Sequence, residues 1–164
     1  MLDPRGLLGG YAMPENYLIV VGVDGSDGGR RALRWAAHEA ADRGGTVQAV
    51  VAWRWDEPDG GLEGPEGVDA QQRAADILEQ EIATIAQVPV ARVVREGRAA
   101  DVLVAAARDA DLLVLGSHGH SRVWQRVLGS VTEECVRRAT CPVVVIPVPQ
   151  PVPRPPAPVP AAPG

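Results

Sequence analysis

The sequence predicts an α/β fold in which a doubly wound, five-stranded parallel sheet is sandwiched by helices. Three observations carry that expectation. Five short apolar runs rich in valine, leucine or isoleucine recur along the chain, and runs of that kind suit strands buried on both faces. The segments between them have helical spacing, with alanine and arginine to favour helix. The two kinds alternate throughout, as strands joined by right-handed crossover helices do.

Taken in order, the strands are expected at Tyr17–Val23, Thr46–Trp53, Val88–Val94, Asp111–Leu115 and Pro142–Ile146. The helices are expected at Gly28–Arg43, Val68–Gln87, Ala99–Arg108 and Ser130–Ala139. Ser26 before Asp27-Gly28-Gly29 is a helix start signal, so its hydroxyl is expected to cap the first helix. Glu133 and Glu134 near the start of the last helix, and Arg137 and Arg138 near its end, complement the helix dipole. Two segments break the alternation. Arg54–Gly67 is rich in glycine, proline and acid and reads as a surface loop. Pro147–Gly164 is half proline and reads as an extended, solvated tail, either without function or docking to a proline-recognising partner. The chain thus divides into an N-terminal extension at 1–16, one domain at 17–147 and a Pro-rich tail at 148–164.

A chain of 164 residues with 46% apolar and 23% charged side chains suits a single soluble domain. All 16 basic side chains are arginine. Without lysine the chain can build neither a Walker-type phosphate loop nor a Schiff base. The net charge is −5, and the acids at Asp56, Glu57, Asp59, Glu63, Glu66 and Asp69 account for more than the whole excess. A duplex-binding protein would need a basic face, so no nucleic-acid partner is expected. Two cysteines, Cys135 and Cys141, are too few for a disulfide framework or a complete structural zinc site and read as core thiols in a reducing compartment. The first sixteen residues lack the apolar run of a secretory signal or membrane span. A cytoplasmic protein with no membrane contact is expected.

The residues richest in chemistry follow the fourth strand: Gly116-Ser117-His118-Gly119-His120-Ser121-Arg122, then Gly129-Ser130-Val131-Thr132 opening a helix. Gly116 and Gly119 let the backbone approach a ligand closely and adopt positive φ, and Gly129 introduces the free N–H groups of the next helix. A phosphate suits such a place, drawn by the helix dipole and by the hydroxyls of Ser130 and Thr132. His118 and His120 lack the further partners of a metal site, and no metal ligand set is expected beyond a magnesium ion that Asp24 could hold. His38 lies inside the first helix without a visible partner and reads as structural.

The spacing Gly116-x2-Gly119-x9-Gly129-Ser130 resembles the nucleotide signature of the ATP-binding branch of the universal stress protein family, UspA-like in type. Ile19-Val20-Val21-Gly22-Val23-Asp24-Gly25-Ser26 and Cys141-Pro142-Val143-Val144-Val145-Ile146-Pro147 extend the resemblance to about residues 16 to 147. It implies a Rossmann-like fold of the adenine nucleotide alpha hydrolase type and ATP as ligand, with magnesium. Carried over, Val23 and Asp24 would lie near the ribose or phosphates and Ala52 would line the adenine pocket. Leu115 and Gly116 would pass beneath the nucleotide, and Ser117, His118, Gly119 and His120 would wrap its phosphates. Gly129, Ser130, Val131 and Thr132 would close the other side. Relatives often carry a permanent cation where this chain has His120, and Arg122 or Arg126 would compensate. Asp24 also reads as a turn residue serving local backbone donors. Trp35, Trp53, Trp55 and Trp124 read as core or interface residues, with Trp53 and Trp55 able to flank the adenine.

No catalytic base with an orienting partner is visible. The leading expectation is therefore a nucleotide-responsive regulatory module in the stress response. The alternatives are a slow magnesium-dependent ATPase using Asp24 and an AMP or cyclic-AMP binder of the same fold. The apolar strand Val143-Val144-Val145-Ile146 would be an exposed edge in a monomer, and the resemblance implies a homodimer paired through it.

Overall fold

The computed structural model describes residues 17–54, 67–85, 88–119 and 128–149. The expectations for the 1–16 extension, most of the acidic loop, His120, Arg122, Arg126, Trp55, Trp124 and the tail beyond Pro149 lie outside the described residues. The elements are β1 (Leu18–Gly22), α1 (Asp27–Arg43), β2 (Thr46–Trp53), α2 (Gly67–Ile82), β3 (Val90–Glu96), α3 (Ala99–Ala106), β4 (Leu112–Gly116), α4 (Ser130–Arg138) and β5 (Val143–Ile146). Each expected strand and helix is present.

The strands form one sheet in the order β3-β2-β1-β4-β5, and every neighbouring pair is parallel. Chain travel runs outward from β1 to β3, then jumps back across β1 to β4. With crossovers of a single hand, that reversal moves the helices to the other face. The core divides accordingly. Ile19, Val21 and Val23 pack with Ala32, Leu33, Ala36 and Ala40 of α1 and with Ala74, Leu78 and Ile82 of α2. Val20, Val50, Leu113 and Leu115 pack on the opposite face with Ala100, Val102 and Leu103 of α3 and Cys135 of α4. The two-residue alternation of β1 thus feeds both layers, and each fully buried Val, Leu or Ile contributes ~1.5–3 kcal/mol relative to exposure.

Ser26 caps α1 as expected, its hydroxyl accepting from Gly29 N at 3.1 Å. Three expectations need correction. Burial on both faces holds for β1 and β4 but not for β3, whose exposed Ala91, Arg92, Arg95 and Glu96 mark a sheet edge, nor for β5, which is half-buried along its length. Strand β3 also starts two residues late, because Pro89 has no N–H to add to the ladder and instead accepts from Val47 N. Helix α2 stops at Ile82 rather than Gln87. The Thr84 hydroxyl donates to the Glu81 carbonyl at 2.6 Å, and this competing local bond accompanies a tightened turn through Ile85.

Cys135 is fully buried, and desolvation with the nearby Glu134 carboxylate pushes its thiol up to about 11. Cys141 is half-buried against the same core layer, and its thiol is likewise raised by burial.

The helices α3 and α4 are tied at the surface by four charges. Arg138 reaches Asp101 at 2.7 Å and Glu134 at 2.6 Å, while Arg98 reaches Glu134 at 3.1 Å and Asp101 at 3.5 Å. The Arg138 guanidinium holds the Asp101 carboxyl below the usual carboxylate range. A carboxyl lowered by folding stabilises the fold above its unfolded value and loses that contribution as pH falls through its folded value. In urea titrations, Asp101→Asn should therefore be less stable than the parent at pH 7, and the gap should close below about pH 4. High salt should narrow it as well, since these groups are exposed.

Candidate functional site

In an open parallel sheet, ligands bind beyond the carboxyl ends of the strands where strand order reverses. Here the reversal lies between β1 and β4. The loop after β1, Val23 to Ser26, and the loop after β4, Ser117 to Gly119, therefore share one rim.

In the first loop, Gly25 has φ +75, a left-handed conformation that glycine adopts without a Cβ penalty. The turn brings the exposed Asp24 back onto its own chain. Its Oδ1 accepts from Ser26 N at 3.0 Å and from the Ser26 hydroxyl. That is the local turn role the sequence allowed. Its Oδ2 faces the second loop, where a Cβ on Gly119 would lie 2.5 Å away. The Gly25 carbonyl accepts from Arg30 at 2.8 Å, and Arg30 pairs at 3.2 Å with Glu81 of α2, whose side chain is 9% exposed.

The start of α1 touches the end of β4 and the second loop through backbone. A Cβ on Gly116 would sit 2.6 to 2.8 Å from Gly28 backbone atoms, and one on Gly28 would sit 2.2 Å from the His118 carbonyl oxygen. This corrects the expectation for Gly116 and Gly119. Among the described residues, positive φ occurs at Gly25, Gly44 and Gly97; Gly116 and Gly119 are required because protein atoms, backbone at one and a carboxylate at the other, crowd them.

Ser117 is buried and fully engaged. Its N–H donates to Ile146 O at 2.8 Å, its carbonyl accepts from Gly129 N at 2.8 Å, and its hydroxyl accepts from Val148 N at 3.0 Å and lies 3.1 Å from His118 Nδ1. Thr132 is also buried and donates its hydroxyl to Gly116 O at 2.8 Å. The expectation that the Thr132 hydroxyl donates to a phosphate is therefore corrected: its proton secures the end of β4. Gly129 N–H itself is the donor to Ser117.

The amides left to an anion are those of Ser130, Val131 and Thr132. Gly129 is the N-cap of α4 and has no side chain to satisfy them, and the first intrahelical bond runs from Glu133 N to Gly129 O at 2.9 Å. Ser130 and Val131 are exposed. A helix start with open amides favours negative charge.

The remaining expected residues line the strand ends. Val23 is buried and donates its N–H to Val50 O at 2.9 Å. Ala52 and Leu115 belong to the layer under α3, whereas Trp53 packs on the opposite layer with α1 and α2. The rim thus combines an acidic acceptor at Asp24 with amide donors at the start of α4, a pairing able to hold a sugar hydroxyl or metal ion at one side and a phosphate at the other.

Sequence reasoning did not single out Gly25 or Gly28 as site residues, although the run Asp-Gly-Ser-Asp-Gly-Gly carries the signal. Arg30 and Glu81 had none, since their meeting depends on how α2 sits against α1.

The chain belongs to the universal stress protein family, whose model matches residues 18–147. It is 36% identical over 136 residues to universal stress protein Rv2005c of Mycobacterium tuberculosis, covering 80% of this chain and 46% of that one. The chain spans about half the length of the curated relatives it matches. A universal stress protein solved in complex with cAMP is similar at a TM-score of 0.57 and 28% identity, covering 80% of this chain and 96% of that one. A family protein from Arabidopsis thaliana solved with AMP bound is similar in fold, with a TM-score of 0.56 and 21% identity over 79% of this chain and 90% of that one.

The crowding predicts an ordered pair of variants. Gly116→Ala forces a methyl against backbone and should cost ~1–3 kcal/mol or more. Among the described residues Gly119→Ala meets a carboxylate oxygen that can swing aside, and should cost less. Urea midpoints at pH 7 check the order, and equal midpoints would contradict the contact at Gly28.

Proposed function

We propose that this chain binds an adenine nucleotide, ATP with magnesium, at the rim between β1 and β4, and acts as a nucleotide-responsive regulatory module of the stress response. The observation that carries the proposal is the convergence on the strand-order reversal of the Asp24 carboxylate, the crowded Gly116–Gly119 turn and the open amides of α4. Phosphates would be gripped by the Ser130, Val131 and Thr132 amides and by the His118–Gly119 turn, with His120 and Arg122 on the same segment. Asp24 would hold the ribose or a magnesium ion, and Val23, Ala52, Leu115 and Gly116 would form the floor and the adenine wall. Magnesium would offset the charge of the triphosphate in a rim that lacks lysine. Ser117 would act from behind, by fixing the turn.

The sheet edges support a homodimer through β5. Val143, Val144, Val145 and Ile146 are apolar and half-buried, whereas the other edge carries Arg92, Arg95 and Glu96. A flat apolar edge invites pairing and a charged edge resists it. Two free thiols suit a cytoplasmic setting.

A second reading is favoured by one finding: a 28% identical relative was solved with cAMP, so AMP or cyclic AMP is an alternative ligand for the same amides. A slow magnesium-dependent ATPase would use Asp24 as the metal's carboxylate.

Native mass spectrometry of gently purified protein should show a dimer retaining nucleotide. Added ATP with magnesium should raise the melting temperature, by the equivalent of ~2.7 kcal/mol at about 100 times Kd. Competition among ATP, AMP and cyclic AMP ranks the ligands, and phosphate release lost in Asp24→Asn would favour the ATPase. No shift with any of the three at millimolar concentration would refute nucleotide binding.

A further inference from the structure

The chain does not leave the fold at the end of β5. Residues 147–149 continue past the sheet as a short strap held at both sides. On one side the Pro147 carbonyl accepts from Arg31 Nε of α1 at 3.2 Å. On the other, Val148 N–H donates to the Ser117 hydroxyl at 3.0 Å. Between these two bonds a Val148 methyl lies 3.3 Å from where a Cβ of Gly28 would stand, beside the point where the His118 carbonyl meets Gly28. Val148 is half-buried and bonded.

The arrangement is a bridge across the back of the rim. Helix α1 carries the Asp24 loop at its start, and Ser117 carries the glycine turn. Apart from the strap, the walls are joined by the packing of α1 on β4 beneath them and by the close approach of Gly28 to Gly116 and His118 and of Asp24 to Gly119. The Val148 N–H sets where Ser117 sits against the strap, and the longer Arg31 side chain adds a looser tie to α1. Flanking prolines keep the strap stiff, since Pro147 and Pro149 fix their own φ.

We infer that the strap Pro147–Val148 is a positioning element of the ligand site: the Val148 N–H, acting through Ser117, holds the His118–Gly119 turn at the spacing from α1 that the site needs. The inference takes its ligand, a phosphate-bearing nucleotide, from the proposal above, but its geometry stands without that ligand.

The test removes one hydrogen atom's worth of contact. Val148→Pro deletes the N–H and leaves Ser117 intact, while Val148→Ala keeps the N–H and trims the methyls. Two readouts are taken on the full chain: amide hydrogen exchange at Ser117, His118 and Gly119, and affinity for ATP with magnesium and for AMP by calorimetry. Val148→Pro should speed exchange at those three amides and weaken binding, each by about fivefold, the effect of one hydrogen bond on an equilibrium constant. Val148→Ala should retain parental values within about twofold. Should Val148→Pro unfold part of the sheet, seen as faster exchange in β1 as well, Ser117→Ala removes the same bond from the other end and should speed exchange at His118 and Gly119. Combined with Val148→Pro, where that variant folds, it should add little to the change at Gly119 or in affinity, because both delete the Val148–Ser117 bond, whereas His118 also loses its own contact with the Ser117 hydroxyl.

The two proposals fail separately. Parental protein that binds neither nucleotide overturns the ligand while the exchange result still judges the strap. Unchanged exchange at His118 and Gly119 in Val148→Pro, or in Ser117→Ala where the first does not fold, overturns the strap. Changed exchange with unchanged affinity also overturns it as a positioning element.

Discussion

Where the two loops of the rim meet, Gly28 and Gly116 touch through backbone atoms with no room for a Cβ on either residue. Most of the site's order depends on that approach. It brings the start of α1 against the end of β4, so one oxygen of the exposed Asp24 carboxylate faces the Gly119 turn. It also sets the height of the His118 carbonyl and, through Ser117, the point at which α4 begins. Packing of the two core layers supplies the force, because α1 is drawn onto β1 and β4 by Leu33 and Ala36. The hydrophobic effect has no direction of its own; glycine decides how close it can bring the backbones.

The polar groups around this contact divide into two sets. Ser26, Ser117 and Thr132 are buried and bonded to protein, which is the ordinary condition of buried polar side chains. Asp24, Ser130 and Val131 are exposed at the rim. A hydroxyl that secures a loop contributes to binding by lowering the conformational freedom lost when ligand arrives. The proposed phosphate site does not require lysine, because backbone amides carry the positive end of a helix dipole whatever the side chains are.

The fold was highly legible because apolar runs and helical segments alternate with few interruptions, and parallel strands buried on both faces leave a strong signal. The errors lie where neighbours rather than local pattern decide. Strand β3 is valine-rich like β1, yet sits at an edge, and the one local sign of that, Arg92 in the middle of the run, is outweighed by the valines around it. Helix α2 ends early through a threonine bond that helical periodicity does not register. In the site, the glycine spacing located the turn, but the reason for each glycine was hidden, since the atoms that exclude a Cβ from Gly116 come from Gly28, 88 positions away. Hydroxyl roles were least legible of all. Ser117 and Thr132 are indistinguishable from ligand-facing residues until the strap beyond β5 and the last carbonyl of β4 are seen to claim them.

The unequal borders of the sheet bear on how far copies can add to one another. One border is four uncharged aliphatic residues, the other presents Arg92, Arg95 and Glu96 to solvent. Twofold joining along the first border consumes it in both molecules and leaves only charged borders outward. Growth by strand addition would therefore halt at a pair, so the composition of a single strand would guard such a sheet against fibres.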